Sequence, residues 1–399
     1  MGSHQWDLGR TQSESQRDLR TTRLTIQAEG QSNPLAGSTL PQGSHVRVGL
    51  IAPPWLPVPP TAYGGTELVI DLLARGLVRE GHDVRLFTVG ESTCPVPSAW
   101  RNARSTPTER SAVEAAHTLA AYDALTDVDI VHDHTVLGPL VAGFARRHAP
   151  VVTTLHSPFT ADVRRVLGAT ARDVPVICIS QDQRRAAPEI PVAAVIHHGI
   201  DLEEFPAGPG TGGYLLFLGR MSPDKGVDRA ITIARTAGLP LRIAAKMQEP
   251  AERAYYRERI EPMLGGDVEY VGEVGASERL TLLQGAVALL NPIRWPEPFG
   301  LVMIEALASG TPVIATAQGS APEIVEHGRT GYLCLDEPTF VRAVAAIQDL
   351  DRRDCREAAV RRFSAARMVS EHVGIYGAVL AQRAAAPDVP CLLYTSDAA

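Results

Sequence analysis

Short apolar segments alternate with segments of helical periodicity along most of this chain of 399 residues. The apolar segments have the length of buried strands, and most are followed by a stretch in which apolar residues recur every three to four positions. Such alternation is typical of parallel β-sheets whose faces are covered by helices. A chain of this length is expected to form two domains, each with its own core. The sequence therefore predicts an α/β protein with two Rossmann-like, doubly wound domains.

Composition sets the limits of these domains. Residues 1–44 are rich in Ser, Thr, Gln and Arg and lack periodicity, so we predict a disordered N-terminal extension. Residues 206–213, which are rich in Pro and Gly, are typical of a linker. The remaining predicted parts are a first domain at 45–207, a second domain at 208–365, a helical segment at 366–386 and a tail at 387–399, interpreted as non-native.

Charge and cysteine content disfavour several functional classes. The formal net charge is −7, which argues against nucleic acid as a partner. The five cysteines are an odd number without paired spacing, so reduced thiols in a cytoplasmic enzyme fit them better than disulfides or a zinc site. No apolar run approaches the roughly 18 residues of a membrane span. The N-terminal segment also lacks the apolar stretch of a secretory signal.

The segment at 296–310 predicts a loop that turns into a helix. A proline fits just ahead of the first helical turn, and Gly300 lets the backbone approach a ligand closely. From Leu301 the apolar residues recur at helical spacing, and Gly310 ends the helix. The opening turn therefore offers free N–H groups near Phe299, Gly300 and Leu301, which suit a phosphate.

Two carboxylates flank this predicted phosphate site. Glu297 lies in the loop before the helix, and Glu305 lies about one and a half turns into the helix, tilted toward its N-terminus. Because carboxylates repel phosphate, we expect them to accept hydrogen bonds from hydroxyls on either side of a diphosphate, such as those of a ribose and a hexose. The alternative is that Glu297 only complements the helix dipole and that Glu305 is a solvated surface residue.

Two cations follow the first strand predicted in the second domain. Arg220 comes at the carboxyl end of the strand, and Lys225 lies in the loop after it. Together they suit a diphosphate, Arg220 through its forked guanidinium and Lys225 as a point charge, although either alone is compatible with an ordinary surface position. Lys246, at the end of the next strand, is a candidate third cation.

The first predicted strand, at 45–52, is followed by the glycine pair Gly64 and Gly65 ahead of a helix. Open α/β sheets bind ligands at the carboxyl ends of their strands, so this loop is a candidate binding segment, with a plain tight turn as the alternative. The fingerprint G-x-G-x-x-G is absent, which argues against a dinucleotide site. His156 follows a later strand, where it either points toward a ligand or bonds only its own loop.

Clusters that suggest a metal site are discounted. His132 and His134 are expected on one side of a strand with Asp133 opposite, and no third zinc ligand follows at a suitable spacing. His134 is expected instead to make hydrogen bonds facing the cleft. Asp127 and Asp129 lie where a strand begins, and a solvated turn is the usual explanation there. The sequence therefore predicts no metal site.

The segment EPFGLVMIEALASGTPVIAT, with two glutamates spaced Glu-x7-Glu, resembles the donor-site signature of retaining GT-B glycosyltransferases, especially family 4. The resemblance extends over roughly residues 46–385 and includes the arrangement Gly-Arg-x4-Lys-Gly around Arg220 and Lys225. It implies a GT-B fold, in which two Rossmann-like domains face a cleft and the helix at 366–386 crosses back onto the first domain.

The resemblance also implies roles at the donor. Arg220 and Lys225, with the N–H groups of the helix start, stabilise the leaving diphosphate, so that no divalent metal is required. Glu305 holds the ribose, and Glu297 holds the donor hexose and stabilises positive charge on its ring. The loop that contains Val274 edges the nucleobase pocket.

In the first domain, the resemblance implies that Gly65 faces the donor phosphate and the acceptor, and that His156 contacts the donor sugar or the acceptor. Two positions depart from the family pattern. His198 stands where Asn is usual, at the junction that closes the first domain. Ser320 stands where Gly is more common, near the expected position of the donor hexose.

The predicted activity is the transfer of a hexose from a UDP- or GDP-sugar to a small-molecule, glycan or lipid-linked acceptor, with no cofactor besides the donor. A sugar phosphorylase or a nucleotide-sugar epimerase on the same fold is the alternative, and a non-catalytic nucleotide-sugar-binding protein is a further one. Peripheral membrane contact stays open, although the basic pairs at 146–147 and 164–165 are too sparse for an amphipathic anchor.

Overall fold

The computed structural model describes residues 44–61, 64–100, 109–144 and 149–385. Within these residues the chain forms two compact units. The first unit comprises the residues up to Asp201 and those from Arg362 onward, and the second unit is Leu202–Arg361. These limits lie a few residues before the boundaries expected at 207/208 and 365/366. The predicted extension at 1–44 and tail at 387–399 lie outside the described residues, apart from Ser44.

The first unit is built on a parallel sheet. Its described strands are β1 Arg47–Ile51, β2 Asp83–Thr88, β3 Ser98–Trp100, β4 Ile130–Asp133, β5 Val151–Thr154, β6 Val176–Cys178 and β7 Val192–Val195. They are ordered β3-β2-β1-β4-β5-β6-β7, and each pairing is parallel. The intervening helices are α1 Gly65–Arg79, α2 Arg110–Ala124, α3 Gly138–Ala142, α4 Ala161–Thr170 and α5 Gln181–Arg185.

The order of strands reverses beside β1. This strand pairs with β2 on one side and with β4 on the other, and Ile51 of β1 lies opposite Asp133 of β4. Val48, Leu50 and Ile51 are fully buried, as expected of a parallel strand covered on both faces. The reversal places a topological switch point at the carboxyl ends of β1 and β4, where doubly wound sheets bind ligands.

The second unit repeats this architecture. Its strands are β8 Leu215–Arg220, β9 Leu241–Lys246, β10 Val268–Gly272, β11 Ala288–Asn291, β12 Val313–Thr316 and β13 Gly331–Cys334, in the parallel order β10-β9-β8-β11-β12-β13. Its helices are α6 Val227–Ala237, α7 Pro250–Tyr255, α8 Ala276–Gly285, α9 Leu301–Ala308, α10 Ala321–Ile324, α11 Glu337–Ala345 and α12 Arg352–Arg362. Phe217 and Phe340 are fully buried in its core. The predicted pair of α/β sheets is confirmed.

The charged residues at 251–264 predict a single helix with a solvated face, but the structure divides this segment. After α7 it continues as the π-helical turn Tyr256–Ile260 and the 3-10 turn Glu261–Met263. The solvated interpretation is wrong for Glu252, which is 5% exposed. Its carboxylate accepts hydrogen bonds from the backbone N–H groups of Gln248 and Glu249, at 2.8 and 3.0 Å. The carboxylate of Glu252 turns inward because the backbone N–H groups at the helix start need hydrogen-bond acceptors.

The last described helix, α13 Ala365–Ala385, follows the second unit in sequence but belongs to the first. It packs closely on α1, where a Cβ at Gly76 would collide with the side chain of Val369. Glycine at this position therefore permits the approach of the two helices. No helix in the described part of the chain is long and apolar enough to cross a membrane.

Candidate functional site

The loop–helix segment predicted at 296–310 forms as expected. Helix α9 begins at Leu301, directly after Gly300, whose φ of 93° favours glycine. The helix ends at Ala308, and Gly310 follows with a φ of 72°. The backbone N–H groups at the start of α9 are therefore directed out of the helix, near Phe299 and Gly300. A helix start of this kind suits an anionic group.

A second loop holds the start of this segment in place. Gly319 lies against the backbone of Glu297, and a Cβ there would lie 2.6 Å from both its nitrogen and its carbonyl oxygen. The N–H of Ser320 donates to the carbonyl of Glu297 at 3.0 Å. The buried hydroxyl of Ser320 donates to the carbonyl of Phe299. Ser320, expected near the donor hexose, therefore uses its hydroxyl to fix the loop.

Lys225 and Glu297 form an ion pair beside the start of α9. The ammonium of Lys225 contacts Oε1 of Glu297, and both side chains are largely buried, with exposed fractions of 12% and 14%. The same ammonium lies 5.5 Å from the centre of the Trp295 ring, which is within cation–π range. Oε2 of Glu297 is buried and has no hydrogen-bond partner. That oxygen is able to accept a hydrogen bond from a hydroxyl group.

Arg220 and Lys246 end neighbouring strands at the same edge of the sheet. They are paired in register across β8 and β9, so both cations lie at the carboxyl ends of these strands. Arg220 lies 3.6 Å from Glu252 and 3.5 Å from Asp224, between nitrogen and oxygen atoms. Its side chain is 44% exposed, so these ion pairs hold it loosely. The guanidinium is therefore available to an anion at this edge.

Glu305 is buried within α9, and the alternative of a solvated surface residue is wrong. The residue is 1% exposed, and its Oε1 lies 3.4 Å from Nη1 of Arg279 on α8. Burial raises the pKa of Glu305, and the charge of Arg279 opposes that rise. Oε2 of Glu305 is buried without a hydrogen-bond partner, as is Oε2 of Glu297. Val274, expected at the nucleobase pocket, lies half-buried in the loop before α8.

The first unit gathers histidines at the carboxyl ends of its strands. His132, which is fully buried, uses both ring nitrogens, with Nδ1 at 2.8 Å from the hydroxyl of Tyr376 and Nε2 at 2.8 Å from that of Thr154. Nδ1 of His134 lies 2.9 Å from Nε2 of His156. The hydrogen bond expected of His134 is therefore made with another histidine, His156.

Burial keeps these rings neutral. It lowers the pKa of His156 to about 3 and lowers the pKa of His134 well below its usual range, and neighbouring histidines add to both effects. His198, which stands where Asn is usual in the resemblance, is buried with its ring stacked on that of His156 at 5.2 Å between centroids. This departure therefore shapes the surroundings of His156.

A cavity of 210 Å³ lies beside this cluster, at the switch point of the first sheet. His134 and His156 line it, together with Glu67 of α1 and Glu114 of α2. Gly65 is the first residue of α1, two positions before Glu67. The structure thus brings His156 and the glycine loop to one end of the unit.

The clusters discounted as metal sites have other partners. Asp127 and Asp129 form ion pairs with Arg85 and Arg47, each at 2.6 Å. Asp133 accepts hydrogen bonds from Tyr122 and Thr135. Within the described ranges, no three His, Cys, Asp or Glu side chains converge as a metal site would require.

Two protein families match adjoining parts of the chain. Residues 63–204 match the family described as Glycosyltransferase Family 4, and residues 202–362 match Glycosyl transferases group 1. This chain belongs to the family 4 glycosyltransferases. A crystallised glycosyltransferase involved in avilamycin A biosynthesis is 27% identical, with a TM-score of 0.64 over 84% of this chain and 98% of that one. The predicted family and the GT-B fold are confirmed.

The names of the relatives of this glycosyltransferase indicate different activities. The glycogen synthase of Mycobacterium tuberculosis is 32% identical over 270 residues, which is 60% of this chain. The chain spans 63% of the length of that relative. The phosphatidyl-myo-inositol mannosyltransferase of Mycobacterium leprae is 25% identical over 84% of this chain and 97% of its own length.

Several residues of this family member's site were not anticipated from the sequence. Arg279 pairs with Glu305 from another helix, and Glu252 reaches Arg220 across a loop. Glu114 lines the cavity of the first unit and accepts hydrogen bonds from the N–H groups of residues 136 and 137, at 2.6 and 3.1 Å. No local spacing links these residues to their partners. Only the capping pattern around Glu252, a glutamate three residues after the N-cap residue Glu249, was visible in the sequence.

Proposed function

We propose that this protein transfers a hexose from a UDP- or GDP-sugar to an acceptor hydroxyl, with retention at the anomeric carbon and without a divalent metal. The proposal rests on one arrangement in the second unit. Lys225 is paired with Glu297 beside the start of α9, and Arg220 ends the first strand of the same unit. Glu297 and Glu305 each carry a buried oxygen without a hydrogen-bond partner. Cations and N–H groups suit the diphosphate, and the two oxygens suit hydroxyls of the sugars on either side.

The reaction exchanges one bond at the anomeric carbon for another. The bond from this carbon to the diphosphate oxygen breaks, and the electron pair leaves with the diphosphate. The acceptor oxygen bonds to the carbon on the same face, and its proton passes to the leaving phosphate oxygen. The negative charge that develops on the diphosphate is stabilised by Arg220, Lys225 and the N–H groups at Phe299, Gly300 and Leu301.

The two glutamates have different tasks in this proposal. Glu305 accepts hydrogen bonds from the ribose, a part of the donor that the reaction does not change. Glu297 accepts from the hexose and stabilises the positive charge that its ring gains as the bond breaks. Val274 edges the pocket of the base. In the first unit, Gly65 is assigned to the donor phosphate and the acceptor, and His156 is assigned to the donor sugar or the acceptor.

The acceptor is proposed to be a small molecule, a glycan or a lipid-linked group. A lipid-linked acceptor would be compatible with peripheral membrane contact. The relatives named above act on different acceptors by their names, so they favour none of the three. A cytoplasmic setting is supported by the four described cysteines, which are free and buried. The basic pair at 146–147 lies outside the described residues.

A nucleotide-sugar panel tests this function. The melting temperature is measured with UDP-glucose, UDP-galactose, UDP-N-acetylglucosamine, GDP-mannose and their free diphosphates. A ligand at a hundred times its Kd raises the free energy of unfolding by about 2.7 kcal/mol. The stabilising donor is then supplied with candidate acceptors, and the anomeric configuration of the product is read by NMR.

The control separates the site from general charge effects. Arg220→Ala should abolish the stabilisation, whereas Arg257→Ala, which removes an exposed arginine of the same unit, should leave it intact. Absence of stabilisation by every nucleotide, or a product with inverted configuration, would contradict the proposal. Release of hexose 1-phosphate in the presence of phosphate would instead indicate a phosphorylase.

A further inference from the structure

The indole N–H of Trp295 is a buried polar group in the loop before α9. Its nitrogen, Nε1, is buried and has no hydrogen-bond partner among the described residues. An indole nitrogen can donate a hydrogen bond but cannot accept one. Nearly all buried polar groups in folded proteins are paired, because leaving one unpaired costs free energy. The N–H of Trp295 therefore calls for an acceptor that the described part of the chain does not supply.

The loop that carries this indole is fixed on both sides. The backbone N–H of Arg294 donates to the carbonyl of Asp224 at 2.8 Å. The carbonyl of Ile293 accepts a hydrogen bond from the side-chain amide of Gln318 at 2.9 Å. The hydrogen bonds of Ser320 described above hold the residues that follow the indole. These bonds fix the loop without using the indole N–H, so this group is preorganised for a ligand, which limits the entropy lost on binding.

The indole and the carboxylate of Glu297 adjoin one ammonium group. Nζ of Lys225 contacts Oε1 of Glu297 and lies 5.5 Å from the centre of the Trp295 ring. The other carboxylate oxygen, Oε2, is buried without a hydrogen-bond partner, as is the indole nitrogen. The two groups are complementary, because the oxygen only accepts and the N–H only donates. An ionised phosphate could accept from the indole but could not donate to Oε2, whereas the hydroxyls of a sugar ring can do both.

We infer that the indole N–H of Trp295 donates a hydrogen bond to a hydroxyl oxygen of the hexose in the nucleotide sugar, and that Trp295 thereby selects hexoses that carry this hydroxyl. The inference rests on the proposed transfer function and adds a specificity-determining residue to its sugar site. Glu297 accepts from the hexose, and Trp295 donates to it. A hexose without the hydroxyl leaves the buried N–H unpaired and is bound more weakly for that reason.

NMR spectroscopy of the indole groups tests the inference on the full chain. The sequence contains four tryptophans, at positions 6, 55, 100 and 295, so the indole N–H signal that disappears in Trp295→Phe is readily assigned. The ligands are the nucleotide sugar that raises the melting temperature most in the panel above and its own free diphosphate. We expect the nucleotide sugar to move the Trp295 signal downfield from its position with the free diphosphate, because the N–H then forms a hydrogen bond.

Binding measurements on matched variants separate this role from a structural one. Trp295→Phe removes the N–H but keeps an aromatic ring beside Lys225. The Kd of the nucleotide sugar should therefore rise about fivefold, while that of the free diphosphate should stay within about twofold of wild type. Trp100→Phe makes the same change at a residue that is 59% exposed, and it should alter neither Kd. A merely structural role of Trp295 would weaken both ligands alike.

Analogues of the nucleotide sugar that each lack one hydroxyl of the hexose identify the acceptor. One analogue should bind the wild type at least about fivefold more weakly than the parent compound, and it should leave the Trp295 signal where the free diphosphate leaves it. In Trp295→Phe this loss of affinity should be at least about threefold smaller, since the variant has no N–H to leave unpaired. Should Trp295→Phe fold poorly, Trp6→Phe, Trp55→Phe and Trp100→Phe assign the signal by elimination, and the analogues are compared on the wild type.

The possible outcomes distinguish this inference from the proposed function. Equal positions of the Trp295 signal with the nucleotide sugar and with its free diphosphate overturn the inference, because the hexose then does not pair with the indole. An equal loss of affinity for both ligands in Trp295→Phe overturns it as well. Absence of stabilisation by every nucleotide in the panel refutes instead the proposed function on which the inference rests.

Discussion

The buried pair of Arg279 and Glu305 yields a quantitative prediction. Glu305 is 1% exposed, and among the described residues its carboxylate pairs with one cation, Arg279, at 3.4 Å. Arg279→Met keeps the length and apolar bulk of the side chain but removes its charge. The variant leaves a carboxylate buried without a counter-charge, so we expect it to be destabilised.

The size of this effect follows from the geometry. Removing one partner of a fully buried ion pair costs about 3–5 kcal/mol. The side chain of Arg279 is 21% exposed, and the pair is longer than a direct hydrogen bond, so the loss should be smaller, about 2 kcal/mol near pH 7.5. For a unit of this size, each 1 kcal/mol lowers the melting temperature by about 2–4 °C. The expected decrease is therefore about 4–8 °C.

The pH dependence has a definite sign. Burial raises the pKa of Glu305 in the folded state above its unfolded value, and Arg279 opposes this rise. A carboxyl group whose pKa is raised by folding binds more protons in the folded state, so its contribution to stability falls as pH rises through that range. Without Arg279 the pKa should rise further. The stability difference between wild type and Arg279→Met should therefore shrink as the pH is lowered toward 4.5.

Calorimetry between pH 4.5 and 8 measures this difference, and a double variant controls it. Arg279→Met/Glu305→Gln has no buried charge at this position, so its stability relative to Glu305→Gln should show no pH dependence from this pair. The two single variants and the double variant form a cycle that isolates the interaction. A loss below 0.5 kcal/mol that stays constant with pH, an amount typical of surface substitutions, would refute the reasoning.

Three further predictions concern the proposed reaction. Arg220→Ala should lower turnover by at least about a hundredfold, as removal of other charge-stabilising donors does at roughly 3–4 kcal/mol, and turnover within threefold of wild type would contradict the assignment. Activity should survive EDTA, because protein cations stabilise the diphosphate; its loss, with recovery on adding Mg²⁺ or Mn²⁺, would refute metal independence. Glu305→Gln should mainly raise the donor KM and Glu297→Gln should mainly lower kcat, so equal kcat losses with unchanged donor KM would reject the division of roles.

Local signals in the sequence were sufficient for the fold and for the start of α9. Alternating apolar and helical segments follow from the two periodicities of strands and helices, and they predicted both parallel sheets. The proline ahead of the first turn and the helical spacing from Leu301 predicted the start of α9, and the structure adds that Gly300 has a positive φ there. The ends of parallel strands share one edge, which is why Arg220 and Lys246 were expected together and lie in register.

Contacts between segments that are distant in sequence could not be predicted from such local signals. Arg279 and Glu305 lie on different helices, and Ser320 reaches the carbonyl of Phe299 from another loop. These contacts depend on how the loops pack on the sheet, which no spacing within a segment records. For the same reason, Glu305 has the appearance of an exposed helical glutamate in the sequence but is buried in the structure.

The two glutamates also resolve a difficulty raised by the sequence, that carboxylates next to a diphosphate should repel it. In each case one oxygen faces a cation, Lys225 at Glu297 and Arg279 at Glu305, while the other oxygen is buried without a partner. The cation offsets the negative charge, and the remaining oxygen is able to accept a hydrogen bond from a hydroxyl. The pairing thus makes a carboxylate compatible with a neighbouring phosphate while keeping it a strong acceptor. The two pairs also differ in their proposed relation to the donor. Lys225, the partner of Glu297, is assigned to the diphosphate, whereas Arg279, the partner of Glu305, is not. Loss of the diphosphate charge should therefore affect Glu297 and leave Glu305 unaffected.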